Sequence, residues 1–159
     1  MQNNFADRRA FVVNECPSVQ LSNFDFQNRY GDGEDKFIQS LHWMNVGTKP
    51  IAAFEIVILK YDPFNRRLIG SRWNVDGKNS ADWTPLGPGE SSGDGSISYG
   101  TEDVFTEIAY VRQVRFADGT VWAANDVHLA ADLAKLNTGI AELGDLKPDP
   151  SPAGKPGQK

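Results

Sequence analysis

The sequence contains few of the residues that form disulfide bonds or bind metals. Cys16 is the single cysteine among 159 residues, and His42 and His128 are the only histidines. One cysteine excludes an internal disulfide framework, and these three residues are too far apart in the chain for a zinc-ligand pattern. No apolar run approaches the roughly 20 residues of a membrane-spanning helix. We therefore expect no metal, no cofactor and no membrane insertion.

Charge and composition narrow the class of protein further. The formal net charge is −5, which argues against a nucleic-acid partner, because such proteins present a basic face. Hydrophobic residues make up 40% and charged residues 23%, as in folded globular domains. The first residues, MQNNFADRRAF, show no basic segment followed by an apolar one, so no leader is visible. Met1 is either the native start or replaces a removed leader, and we leave open whether the protein is exported or cytoplasmic.

The longest run of apolar strand-forming residues is Ile51–Tyr61, IAAFEIVILKY. Pro50 precedes it and a turn at Asp62-Pro63 follows, which predicts a central sheet strand. Its expected partner is the run at residues 107–116, which continues across an Asp-Gly turn into residues 120–124. Residues 36–45 alternate with period two, and we expect them to form a hairpin with the central strand.

Shorter strands are predicted at residues 16–27, 68–73 and 96–99, with a long loop at residues 74–93. About seven short strands with little helix between them favour an antiparallel, immunoglobulin-like β-sandwich over a βαβ fold. We assign residues 16–125 to this sandwich. Residues 1–15 are expected to be a flexible arm or an added edge strand.

The hydrophobic period changes after residue 125. Apolar side chains then follow at spacings of four, three, four and three, namely Leu129, Leu133, Leu136, Ile140 and Leu143. Asn125 or Asp126 is suited to cap the helix and Gly144 to end it, so the pattern predicts an amphipathic helix over residues 126–144. This leucine stripe either packs on the sandwich or associates with another chain. The Pro- and Gly-rich residues 145–159 are expected to be disordered.

Three segments together resemble bacterial immunoglobulin-like sandwich domains of the FxLYD kind. They are WMNVGTKPI at residues 43–51, LKYDPF at residues 59–64 and VRFADGTVW at residues 114–122, with a PGES element at residues 88–91 between them. The resemblance covers about residues 37–124. It implies a sandwich fold and a non-enzymatic module, often exported, and it supplies no catalytic residues.

Four tryptophans could serve either the core or a ligand. Trp43 and Trp122 alternate with apolar positions, which predicts that both are core residues. Trp73 and Trp83 flank the long loop, where flat indole rings either anchor the loop or stack on a sugar or other small ligand.

Arg112 interrupts an apolar strand face, and a buried arginine must be paired. Glu55 on the neighbouring strand is the predicted partner of a buried ion pair. The alternative is a bulge or an edge position, where Arg112 lies along the surface with its stem packed.

No motif carries recognisable chemistry. The acidic turn at residues 31–35 does not have EF-hand spacing, no phosphate-binding GK[ST] sequence is present, and neither histidine has an evident nucleophile. We therefore expect a protein that is not an enzyme. The first hypothesis is a non-catalytic protein-interaction or structural module, including a self-assembling subunit, and the alternative is a carbohydrate- or small-ligand-binding module using Trp73 and Trp83.

Overall fold

The computed structural model describes residues 9–31, 34–77, 81–99 and 104–148. Within these ranges the chain forms eight strands followed by one short helix. In chain order they are β1 (Arg9–Val13), β2 (Val19–Gly31), β3 (Glu34–Asn45), β4 (Ile51–Tyr61), β5 (Arg67–Val75), β6 (Ser91–Tyr99), β7 (Thr106–Phe116), β8 (Val121–Ala123) and α1 (Asp126–Ala134).

The strands form two sheets that pack face to face. The larger sheet has the order β1-β7-β4-β5, with β8 also beside β7, and the smaller sheet has the order β2-β3-β6. The described pairings are antiparallel except that of β1 with β7, which is parallel. The predicted β-sandwich with one C-terminal helix is confirmed, and β1 adds a parallel strand to the expected antiparallel pattern.

The predicted central strand is β4, which lies between β7 and β5. Residues 54–61 of this strand are all buried. Its inner face meets the smaller sheet, and its outer face is covered by α1 and the chain that follows it. A strand covered on both faces is apolar almost continuously rather than alternately, which explains the unusual run at this position.

The predicted hairpin between residues 36–45 and the central strand is wrong. These residues belong to β3, which pairs with β2 and β6 in the other sheet. The connection after Asn45 therefore crosses from one sheet to the other. The buried Asn45 amide stabilises this crossing, since it donates to the carbonyl oxygens of Lys49 (2.8 Å) and Leu86 (2.9 Å) and accepts from the N–H of Gly47 (2.9 Å).

The main core fills the space between the sheets. Trp43 is buried there, with its ring in edge-to-face contact with Phe54 at a centroid distance of 5.5 Å. Trp122 is half-buried against the same core. The remaining buried members are Cys16, Val19, Leu21, Leu41, Ile51, Ile56, Ile58, Leu86, Ala109, Val111 and Val114.

The C-terminal helix is shorter than predicted. Its N-cap is Asn125, whose side chain accepts from the N–H groups of Val127 and His128, but α1 ends at Ala134 rather than at residue 144. Gly139 has φ of +75°, a left-handed conformation that a right-handed helix does not contain. Residues 135–148 are thus irregular. The predicted disorder from residue 145 is also wrong for the described part, because Leu146 packs against the sheet; residues 149–159 lie outside the described residues.

Candidate functional site

The leucine stripe packs on the protein's own larger sheet. Leu129 and Leu133 of α1 are buried, and Leu136, Ile140 and Leu143 continue the contact from the irregular segment. Their partners on the outer face of the sheet are Val13, Val57, Leu59, Tyr61, Ile108 and Tyr110. Of the two predictions for the stripe, packing on the sandwich therefore describes this structure. The residues predicted to form an interaction helix contact the sheet of their own chain.

Polar side chains fasten this segment by its carbonyl groups. The hydroxyl of Tyr61 donates to the carbonyl oxygen of Leu143 (2.6 Å), and the hydroxyl of Tyr110 donates to that of Leu146. Arg67 also donates to the Leu143 oxygen (2.8 Å). Burial is the main cause that raises the pKa of Tyr110, so its hydroxyl stays a donor at neutral pH. This segment therefore covers the part of the outer face of the larger sheet that lies around the two tyrosines.

The predicted ion pair between Glu55 and Arg112 is wrong. Glu55 lies opposite Gln113, and the next residue of β4, Ile56, lies opposite Val111, so Arg112 is the extra residue of a β-bulge. The Arg112 guanidinium instead donates to the carboxylate of Asp126 (2.5 Å), in the first turn of α1.

Glu55 has partners of its own. Its carboxylate accepts from the side-chain amide of Gln113 (3.3 Å) and lies 3.8 Å from the guanidinium of Arg72. A β-bulge at Arg112 is one of the alternatives predicted from the sequence. The bulge also turns the Arg112 side chain toward the start of α1.

Among the described strands, three of the four sheet edges are interrupted or short. The edge next to β7 consists of β1 and β8, which have five and three residues. The register of β5 shifts opposite Ile58 and Lys60. The register of β2 shifts between Ser22 and Asp25, and the Asn14 side chain hydrogen-bonds both the N–H and the carbonyl of Leu21 on this strand. Short strands, bulges and covering groups are devices that prevent pairing with other chains.

The β6 edge has none of these features among the described residues. All nine of its residues pair in unbroken register with β3. Its first five residues, SSGDG, are exposed and include Gly93 and Gly95. Glycine in the interior of a strand weakens it, and a Cβ on Gly93 would meet the His42 ring of the neighbouring strand β3. This edge is therefore the most accessible template for an added strand.

A cleft of about 250 Å³ opens beside β6, toward the edge strand β5 of the other sheet. Trp43, Trp73 and Val75 supply its apolar surface, and Asp94 and Ser96 of β6 supply polar groups. Trp73 is half-buried against the main core, so one side of its indole is fixed. Trp83 does not line this cleft and its ring lies against Gly77, close enough that a Cβ on Gly77 would overlap it. The two predicted ligand tryptophans thus have different surroundings, and Trp83 anchors its loop.

The structure also shows a buried polar cluster that was not predicted from the sequence. Glu107 is fully buried between the sheets, and the side-chain amide of Gln39 donates to both of its carboxylate oxygens, at 2.7 and 2.5 Å. The amine of Lys60 lies 3.9 Å from Oε2 of Glu107 and 4.8 Å from the centre of the Phe37 ring. The hydroxyl of Ser96 donates to the side-chain carbonyl oxygen of Gln39 (3.2 Å). The available signal was a set of polar residues at inward strand positions, with Gln39 between Phe37 and Leu41.

The described residues contain no group of three histidine, cysteine or acidic side chains placed to hold a metal ion. The acidic turn at residues 31–35 lies partly outside the described residues, and its side chains are outside them altogether. Among the described helices, none is long and apolar enough to cross a membrane.

Comparisons with known proteins find weak structural similarities. No protein-family description matches the chain. No curated protein matches it either. An X-ray structure of a hypothetical protein from Peptoclostridium difficile 630 is 15% identical, with a TM-score of 0.49, over 76% of this chain and 92% of the other. The putative ApaA protein from Bordetella pertussis is 14% identical, with a TM-score of 0.39, over 67% of this chain and 88% of the other. The resemblance to FxLYD domains stays a prediction.

Proposed function

We propose that this protein is a non-catalytic interaction module that binds an extended segment of a partner protein as an added strand along β6. The observation that carries the proposal is the uninterrupted register of β6 on an exposed edge, with a cleft beside the same strand. Strand addition satisfies the outward N–H and C=O groups of an edge through the partner's backbone, and pockets for alternate side chains provide specificity.

The cleft supports a partner side chain as its occupant. Its volume of about 250 Å³ lies below the roughly 300–1,000 Å³ of small-molecule pockets, and suits one apolar or aromatic side chain. Trp43, Trp73 and Val75 would cover such a side chain on its apolar surfaces. A peptide that follows β6 would place every second residue toward this cleft, because side chains alternate along a strand.

Selection of peptides from a random display library tests the proposal directly. We expect the selected peptides to be extended and rich in strand-forming residues. They should bind the Ser92→Lys variant at least tenfold more weakly than the unchanged protein. Ser92 is an exposed serine of β6, and a lysine there must be desolvated when a strand is added.

The matched control is Ile69→Lys, which places the same charge on the edge strand β5 at a side chain that is 70% exposed. It should leave binding within twofold of the unchanged protein. If Ile69→Lys abolishes binding while Ser92→Lys does not, the peptide follows β5 and the assignment to β6 is wrong.

A second candidate function rests on Trp73 alone. Its fixed, half-buried indole in a small cleft with Asp94 and Ser96 also suits a single sugar ring, since an aromatic face and nearby polar groups are the usual elements of such sites. A glycan array with unchanged protein and with Trp73→Ala distinguishes this candidate. A signal that requires Trp73 and is unaffected by Ser92→Lys would favour the sugar over the peptide.

A further inference from the structure

The cluster of Gln39, Lys60 and Glu107 joins two groups that can react with each other. Gln39 lies on β3 of the smaller sheet, and Lys60 and Glu107 are cross-strand neighbours on β4 and β7 of the larger sheet. Both the Gln39 amide nitrogen and the Lys60 amine lie next to the same oxygen, Oε2 of Glu107. A carboxylate only accepts hydrogen bonds, which fixes the nitrogen side of the amide toward Glu107.

We propose that Lys60 and Gln39 form an intramolecular isopeptide bond in the folded protein, with Glu107 transferring the proton. The lysine Nζ bonds to Cδ of Gln39, the bond from Cδ to Nε2 breaks, and ammonia leaves. The product joins the two sheets by one amide. No oxidant, reductant or other reactant takes part, because the amine and the amide exchange one C–N bond for another.

The surroundings supply what each step requires. A lysine amine attacks only when neutral, and the Glu107 carboxylate, with Oε2 at 3.9 Å from Nζ, is the base that takes its proton. Lys60 and Glu107 are only 8% and 0% exposed, and Phe37 covers the amine. Glu107 lies within hydrogen-bond distance of the departing nitrogen and returns the proton to it. Glu107 then takes the second proton that Nζ loses on becoming an amide nitrogen, so the products are the amide, ammonia and a neutral Glu107 carboxyl group.

Ser96 completes the arrangement on the other side of the amide. Its hydroxyl donates to Oε1 of Gln39, the oxygen on which negative charge develops when the amine adds to the carbon. A donor in this position stabilises the addition step. The chain has a single cysteine, so an isopeptide bond would be a covalent link between the sheets that its composition otherwise does not allow.

The intact mass of the purified protein, measured after denaturation, tests the proposal without any need for a variant to fold. We expect the mass to be lower than that of the sequence by one ammonia molecule, and tandem mass spectrometry to find a branched peptide that joins the regions of Gln39 and Lys60. A mass equal to that of the uncrosslinked sequence would overturn the proposal.

Two variants assign the roles. Lys60→Arg keeps the charge and most of the packing but cannot form the bond, so we expect it to have the full mass. Glu107→Gln keeps the shape of the side chain without its basic oxygen, and we expect at least a tenfold lower cross-linked fraction. An ammonia loss that persists in Lys60→Arg would show that it arises elsewhere and would contradict the proposal.

Discussion

At the scale of single residues, Arg112 and Asp126 connect the bulge of β7 to the beginning of α1. The hydrogen bond from Arg112 is the main cause that lowers the pKa of Asp126 and also the main cause that raises the pKa of Arg112. Asp126 is acidic and lies in the first turn of the helix, where a negative charge is also favoured by the helix dipole. The pair thus positions the helix over the sheet that its leucines cover.

Replacement of Arg112 by glutamine should raise the pKa of Asp126 toward the ordinary aspartate value, because the main hydrogen bond to its carboxylate is lost. An NMR titration of the side-chain carboxyl carbons measures this change. Glu55→Gln is the control, and it should leave the pKa of Asp126 unchanged. A larger shift from Glu55→Gln than from Arg112→Gln would mean that the pairing described here is wrong.

The turn between β7 and β8 carries a second perturbed carboxylate. The hydroxyl of Thr120 is the first cause that lowers the pKa of Asp118 to about 2, followed by the Thr120 N–H and by Lys49. A lowered pKa in the folded state means that this carboxylate contributes stability above its ordinary value of 3.8, and that the contribution is lost as the pH falls from there through about 2.

Thr120→Val should therefore raise the pKa of Asp118 toward 3.8, which makes the stability contribution smaller and completes its loss at a higher pH. The valine keeps the size of the threonine and its N–H group but has no hydroxyl. Carboxyl NMR between pH 1 and 5 reports the pKa, and Asp126 in the same spectra serves as an internal reference. An unchanged Asp118 titration would contradict the assigned cause.

At the scale of secondary-structure elements, α1 and residues 135–148 act as a cover for the larger sheet. Leu133 is 2% exposed and contacts that sheet's outer face, whereas Val127 on the same helix is 75% exposed. The helix has only nine residues, too few to be stable alone in water, so its stability comes from this contact.

Leu133→Ala should lower the free energy of unfolding by about 2–5 kcal/mol, since it removes a buried side chain and leaves a cavity. Val127→Ala is the matched control on the exposed side of α1 and should change it by less than about 0.5 kcal/mol. Urea unfolding gives both values. Light scattering should show the same mass for both variants; conversion of an oligomer to a monomer by Leu133→Ala alone would show that the stripe joins chains.

The elements differ in how far the sequence predicts them. The strands around Ile51–Tyr61 were predictable because long apolar runs between turns have few alternatives, and the Asn125 cap was one of two residues named. The helix was extended too far because Leu136, Ile140 and Leu143 keep the spacing of a buried face after the chain has left the helix. The supposed hairpin of β3 and β4 failed because alternation gives the inward face of a strand but not the sheet to which it belongs.

Contacts between sheets were the least predictable part of the candidate site. Gln39 and Glu107 are 68 residues apart in the chain, and no local pattern brings them together. Arg112 was assigned to the apolar face because strict alternation was assumed, and one bulge residue reverses that assignment. Trp73 and Trp83 were treated as a pair because one precedes the predicted loop at residues 74–93 and the other lies within it, although of the two only Trp73 reaches the cleft.

At the scale of the whole molecule, the sandwich is covered unevenly. The C-terminal segment covers part of the outer face of the larger sheet, and short strands, bulges and Asn14 protect three edges. The described part of β6 keeps a regular and exposed edge beside the Trp73 cleft. This contrast underlies the proposal that the protein binds a partner by strand addition.

Residue-resolved hydrogen exchange of the protein, measured with and without a library-selected peptide bound, tests this claim most directly. The account predicts that binding slows the exchange of amides in β6, that the protection includes Gly93 and Gly95, and that it is absent in Ser92→Lys but present in Ile69→Lys. Protection confined to β5 or to the C-terminal segment, with β6 unchanged, would contradict it.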